Sequence, residues 1–185
     1  MISVTVIGGG VAGLQAAVFT AKADEETVVI DSGESLVLNS SNIQNLITEE
    51  SIAGQEVVSR GKEKLEKFGG EIVDEEVQSL ERTEDGFLVE TGDGEYETEY
   101  VIVASAGDLS YLDIDVEFED GVEGPYMMDR HVVTDDSNKA AEGVYVAGLA
   151  NSWEYQTSTA IGDGAKAAVN LLSEIEGEPY SDHDM

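Results

Sequence analysis

The sequence predicts an α/β chain: a parallel central sheet carrying helices, with a small antiparallel β-meander. Three observations predict it. Short runs of apolar and β-branched residues recur at 2–7, 27–30, 101–104 and 144–147, and they are apolar on consecutive positions, as in strands covered on both faces. Segments with helical spacing separate them, at 14–22, 55–68 and 159–176. Between the second helix and the third apolar run, the chain instead alternates polar and apolar residues. The order strand, helix, strand, helix, meander, strand, strand, helix belongs to the α/β class.

The elements follow from their residues. Ile2-Ser3-Val4-Thr5-Val6-Ile7 is a buried strand that runs straight into Gly8-Gly9-Gly10-Val11-Ala12-Gly13. Residues 14–22 are mostly alanine and other small apolar residues, which suits a helix packed close against a sheet. Residues 27–30 form the second strand, ending at Asp31-Ser32-Gly33, and 34–53 are polar and irregular, with Asn39, Asn42 and Asn45. The helix at 55–68 is spaced through Val57, Val58, Leu65 and Phe68 and is stopped by Gly69-Gly70. Residues 71–80, 86–91 and 95–98 make the meander, with Gly92-Asp93-Gly94 as a turn. Residues 105–130 carry no pattern that assigns them. The closing helix carries Ala165, Ala168, Val169 and Leu172 on one face, and residues 178–185 read as a frayed tail.

Composition bounds the function. The 185 residues fit one domain, and there is no cysteine, hence no disulfide, thiolate nucleophile or thiolate metal site. His131 and His183 are too few and too isolated for a metal centre. Forty acidic against nine basic residues give a formal charge of -31, which opposes binding to nucleic acid or to an anionic membrane. No apolar run approaches the ~20 residues that span a bilayer, and the N-terminus lacks a secretory pattern, so a cytoplasmic protein is expected. The acids are scattered over many loops rather than gathered in a tail. That dispersal, with little lysine, looks like proteins of halophilic archaea, in which molar salt screens self-repulsion within ~3 Å.

The glycine-rich turn carries the chemistry. Gly8, Gly10 and Gly13 follow a strand directly and open a helix directly, and Asp31 stands 18 positions after Gly13 at the end of the next strand. Gly8 allows the tight turn, Gly10 lets backbone approach a pyrophosphate, and Gly13 permits close helix–strand packing. The helix start offers unpaired amides and a positive dipole end to phosphates, and Asp31 accepts from a ribose diol. The turn predicts a Rossmann-like, dinucleotide-binding three-layer fold. No GxxxxGK[ST] loop or nucleophile elbow competes with it.

With these residues in place, the chain resembles the FAD-binding part of thioredoxin reductases and related pyridine nucleotide-disulfide oxidoreductases. Gly8–Gly13 matches their FAD fingerprint and Asp31 their adenosine-ribose acid. Ile43-Gln44-Asn45, Ile52-Ala53-Gly54 and Lys67-Phe68-Gly69-Gly70-Glu71-Ile72-Val73 resemble the segment beside the flavin. Val101 to Gly107 is similar to the strand and turn leaving the FAD domain, Gly143-Val144-Tyr145-Val146-Ala147-Gly148 to the returning strand, and Gln156 with Gly162-Asp163-Gly164-Ala165 to the closing helix. The resemblance implies FAD as cofactor and contacts from Gly8, Gly10, Val11, Ala12, Gly13, Asp31, Ser32, Asn45, Val77, Ser105, Gly148, Leu149, Gln156 and Gly162. A homodimer follows by the same analogy.

Two departures qualify it. Where the family inserts an entire nicotinamide-nucleotide domain, only residues 105–142 connect the strands, little more than the ~30 residues that a single βαβ unit takes and too few for that domain. Without cysteine, this chain alone cannot reduce thioredoxin. Leu149 stands where the family usually has an aspartate; losing one charged hydrogen bond costs ~1.5–3 kcal/mol, or ten- to hundredfold in affinity, which leaves room for a different adenine nucleotide.

The expected protein is one FAD domain whose ring lies between Asn45, the 149–156 segment and a helix start at Gly162. Amides around residues 161–164 would stabilise charge on the reduced ring by ~0.3–2 kcal/mol, which is tens of millivolts. Trp153, Tyr155 and Tyr126 are candidates to shield the ring, although core or lid packing is the blander role for each. Met127 and Met128 fit as gap fillers. No catalytic acid or base stands out, and His131, the candidate for acid-base work near neutral pH, is not expected to fill that role. Electrons would come from an external donor, NAD(P)H or a redox protein. The alternative is a non-catalytic flavin- or dinucleotide-binding sensor or interaction module.

Overall fold

The computed structural model describes residues 1–123, 128–154 and 156–181. Tyr126, Met127, Tyr155 and His183, named above, lie outside the described residues. In chain order the elements are β1 (Ile2–Ile7), α1 (Val11–Lys22), β2 (Thr27–Ile30), α2 (Gly54–Lys67), β3 (Glu71–Val73), β4 (Val77–Arg82), β5 (Phe87–Thr91), β6 (Glu95–Val103), β7 (Leu112–Asp113), β8 (Phe118–Asp120), β9 (Arg130–Val132), β10 (Lys139–Ala141), β11 (Val144–Val146) and α3 (Thr157–Glu176).

The parallel core is β3-β2-β1-β6-β11, and the predicted fold class holds. Its strands are apolar on consecutive residues because both faces are covered. Val4 and Val6 of β1, Val29 of β2, Ile102 of β6 and Tyr145 of β11 face the helices. Ile7, Val28, Ile30, Val101, Val103, Val144 and Val146 face the opposite way, onto Leu80, Phe87 and Val89 of the meander and onto Leu109, Met128 and Val132. The three layers are helices, parallel sheet and folded-over meander. Met128, read as a gap filler, is buried in the second of these clusters.

Helix α1 is alanine-rich because it is enclosed. Ala12, Ala16, Ala17 and Ala21 are all buried, and the helix packs against β1, α2 and α3. Larger side chains would push those layers apart.

Four expectations change. Residues 95–98 and 101–104, read as separate strands, are one strand: β6 pairs antiparallel with β5 through Phe87↔Thr98 and parallel with β1 through Ile7↔Val103. Residues 71–80, read as one meander strand, split into β3 on the parallel edge and β4 in the meander. The connection at 105–142, whose residues 105–130 carry no assignable pattern, contains strands among its described residues: β7 pairs with β4, β8 with β9, and β10 with β11. Past α3, Gly177 takes a left-handed conformation (φ 73°) and the Tyr180 amide donates to Ser173 Oγ at 3.0 Å, so the start of the supposed frayed tail is tied back to the helix. Among the described residues no helix is long and apolar enough to cross a membrane.

Candidate nucleotide-binding site

Strands β1, β2 and β6 end side by side, and their carboxyl ends open into a cleft of about 700 Å3, a size suited to a cofactor. Gly8 follows β1 with φ 104°, and helix α1 begins three residues later. The first backbone bond of the helix runs from Leu14 N to Gly10 O at 2.9 Å, so the amides of Val11, Ala12 and Gly13 precede the ladder. They sit at the positive end of the helix dipole, facing the cleft floor.

Close approach explains the glycines. A Cβ on Gly13 would overlap the carbonyl of Gly8, so only glycine lets α1 start this close to β1. A Cβ on Gly9 would overlap the carboxylate of Asp31. Gly9 was missed as a site residue, and the run of three glycines was the signal for it. Its amide donates to Asp31 Oδ1 at 3.0 Å, joining the turn to the end of β2.

Asp31 is buried at the cleft wall, and its Oδ2 lies 3.3 Å from Lys62 Nζ. Lys62 was also missed. It stands four residues after Val58 and three before Leu65, on the face that α2 turns inward, and that spacing was its signal. The Gly9 amide and Lys62 orient the Asp31 carboxylate while its remaining lone pairs stay available to a ribose.

Of the residues assigned from the sequence, Gly8, Gly10, Val11, Ala12, Asp31, Ser32, Val77, Ser105, Gly148 and Leu149 line the cleft. Gly13 supports it from behind. Asn45 and Gln156 are not in the cleft lining but meet each other, Asn45 Nδ2 donating to Gln156 Oε1 at 3.0 Å across 111 residues of chain. Gly162 is not brought in. Helix α3 starts at Thr157, with its first bond from Ala160 N to Gln156 O, so Gly162 lies exposed in the second turn and the amides of 161–164 belong to the helix ladder. Thr157 and Ala160 line the cleft instead, so any dipole effect comes from the 157–159 turn. Trp153 is half-exposed.

The loop after β11 is held by Asp163. Its Oδ2 accepts from the Gly148 amide and its Oδ1 from Asn138 Nδ2, both at 2.7 Å. Leu149 turns an apolar side chain towards the cluster beneath the meander, and its carbonyl lies 2.9 Å from His131 Nδ1. His131 is buried, is not in the cleft lining, and supports the loop from behind. Tyr111, which no sequence pattern marked, also lines the cleft, with its hydroxyl 2.6 Å from Ser105 Oγ. Burial pushes its phenol well above the usual range, against a smaller lowering by Ser105, so it remains a neutral hydrogen-bonding group.

A parallel sheet with a glycine turn at a helix start and an acid at the end of the second strand defines a dinucleotide-binding protein of the Rossmann type. The comparisons narrow the class. The pattern of the pyridine nucleotide-disulphide oxidoreductases matches residues 2–143, and the chain belongs to that family. It is 30% identical over 152 residues to the thioredoxin reductase of Treponema pallidum, covering 75% of this chain and 49% of that protein. It is 27% identical over 161 residues to that of Bacillus subtilis, covering 80% and 51%. The chain therefore spans about half the length of these relatives. Among solved structures, a thioredoxin reductase from Gloeobacter violaceus superposes with a TM-score of 0.81 at 15% identity, over 100% of this chain and 98% of that one. The atypical thioredoxin reductase TRi from Desulfovibrio vulgaris Hildenborough gives 0.77 at 20%, over 97% and 100%. These two likenesses concern the fold. The family binds FAD, and the cleft fits that cofactor: free helix-start amides face the space, a carboxylate waits at the end of β2, and the turn has no Cβ to obstruct it.

Proposed function

We propose that this chain is a flavin domain that binds FAD and passes electrons from an external donor, NAD(P)H or a redox protein, to an acceptor, with residues 105–142 taking the place of a nicotinamide-nucleotide domain. The observation that carries the reading is the cleft itself, in which the α1 amides and Asp31 stand at the strand ends as a diphosphate and a ribose require. The amides of Val11 and Ala12 would hold the diphosphate and Asp31 the adenosine ribose. Gly148, Leu149 and the Thr157 turn would flank the flavin half, and Asn45 with Gln156 would bridge the two loops near it. The flavin supplies the two-electron chemistry; the protein binds, orients and limits water. With no cysteine in the chain, a disulfide is not its own redox centre.

An absorption spectrum taken with added FAD, then with NADH or NADPH under argon, tests this reading. Bound flavin that bleaches supports an oxidoreductase. Bound flavin that neither nucleotide reduces points to a protein donor or to the second reading, a non-catalytic flavin- or dinucleotide-binding module. Leu149 favours that second reading, since an apolar side chain replaces an expected carboxylate. Light scattering on the same sample tests the homodimer.

A cytoplasm of high salt is the proposed milieu. At -31, dispersed self-repulsion falls as the Debye length contracts from ~10 Å at 0.1 M to ~3 Å at 1 M salt. Raising KCl from about 0.1 M to about 2 M is expected to lift the thermal midpoint by about 10 °C or more, equivalent to a few kcal/mol for a chain of this size. A midpoint that holds still or falls would contradict this assignment.

A further inference from the structure

The cleft that should take a diphosphate is lined by five carboxylates, Asp31, Glu34, Glu75, Glu76 and Asp108, and its lining includes no lysine, arginine or histidine among the described residues. We propose that these side chains form a charge filter, so that the cleft takes a dinucleotide diphosphate weakly at low ionic strength and tightly at high ionic strength. This rests on the reading of the cleft as the FAD site, and it adds how that site is regulated.

The carboxylates are only partly neutralised where they stand. Glu75 accepts from the hydroxyls of Thr91 and Tyr96, and Asp108 from the amide and hydroxyl of Ser110 at 2.8 and 2.7 Å. Neutral donors satisfy lone pairs but leave the net charge in place. Glu34 and Glu76 are exposed. Two cations act on them: Lys62 is shared between Asp31 at 3.3 Å and Asp74 at 3.9 Å, and the positive charge of Arg130 acts on Asp108, so five negative charges are opposed by two positive ones. The attraction on the other side comes from the end of α1, about half a unit charge.

The two effects differ in range, and range decides how salt acts. The helix amides touch the diphosphate, so salt screens them little. The solvated carboxylates act across several ångströms of water, and screening removes their repulsion as the Debye length falls from ~10 Å to ~3 Å. A carboxylate ~10 Å from a dianion weakens binding about twofold at 0.1 M salt, and a net three such charges together by roughly tenfold. A phosphate site lined with lysines would respond to salt in the opposite direction.

The test is an FAD titration followed by flavin fluorescence on three forms of the whole chain: wild type, Glu34→Gln/Glu76→Gln/Asp108→Asn, and a control, Glu66→Gln/Glu84→Gln/Glu176→Gln, which removes the same charge from exposed positions outside the cleft. Each is measured at about 2 M KCl and at the lowest KCl at which its far-UV circular dichroism equals the high-salt spectrum. The wild type is expected to bind FAD about tenfold more tightly at high salt. The cleft triple should bind more tightly than wild type at low salt and lose most of the salt dependence, whereas the control should behave as wild type. A wild-type affinity that is flat or falls with salt overturns the filter and leaves the FAD site standing. So does a control that matches the cleft triple, since the effect would then belong to total charge. If no form binds FAD at either salt, the reading of the cleft as an FAD site fails, and the filter fails with it.

Discussion

Gly10→Val is expected to weaken FAD binding by more than about a hundredfold while leaving the fold intact, a loss of ~2.7 kcal/mol or more. Gly10 caps α1 with φ -72° and ψ -177°, extended backbone that valine adopts readily. A Cβ there would meet only Ser35, its Oγ at 3.0 Å and its Cβ at 3.8 Å, a short side chain that can turn away. The valine methyls would therefore fill the space where the diphosphate approaches the Val11 and Ala12 amides without displacing the protein's own backbone. Gly13→Ala is the contrasting case. Its methyl would overlap the Gly8 carbonyl, a backbone atom fixed between β1 and α1, so overpacking should cost about 3 kcal/mol and lower the thermal midpoint by about 6 °C or more. Flavin fluorescence titration and thermal unfolding on both variants separate the two effects. A Gly10→Val protein that retains normal FAD affinity would place the diphosphate elsewhere.

Asp163→Ala is expected to destabilise the chain by about 2–4 kcal/mol and to weaken FAD binding as well. The carboxylate accepts from the Gly148 amide and from Asn138 Nδ2, and both donors belong to buried residues. Removing it leaves buried N–H groups unpaired, which costs more than the hydrogen bonds contributed. The effect reaches the cofactor because Gly148 and Leu149 line the cleft. Asp163→Asn retains the shape but turns an NH2 towards one of two donors, so it should lose less than the alanine. Urea unfolding with an FAD titration checks the order. Equal stability of the alanine variant and wild type would mean that the loop after β11 is held by other contacts.

Much of this arrangement was legible in the sequence because its strongest signals are local. The apolar runs of β1, β2 and β11 report strands covered on both faces, and the glycine turn with Asp31 reports a binding site within one βαβ unit. Where the environment changes inside one element, the pattern misleads. β6 leaves a half-covered meander at Glu95–Thr98 and enters the two-sided core at Val101, so its periodicity switches and one strand reads as two. Strands of two or three residues, such as β7, β8 and β10, are too short to repeat the two-residue alternation that marks a strand. The start of α3 was placed late because Gly162-Asp163-Gly164-Ala165 resembles the start of the family's closing helix, whereas Gln156 caps the helix without a side-chain bond that would mark it. Tyr111 and Asp163 act through partners distant in sequence or through the backbone, and Lys62 reaches Asp31 across 31 positions; such pairings are set by the tertiary structure.

The most direct measurement is a crystal structure of the chain soaked with FAD in high salt. The diphosphate is expected on the amides of Val11 and Ala12, with the adenosine ribose hydroxyls within hydrogen-bonding distance of Asp31. A crystal with FAD bound away from that turn, or with the cleft empty at saturating cofactor, would contradict the assignment of the α1 turn as the nucleotide site.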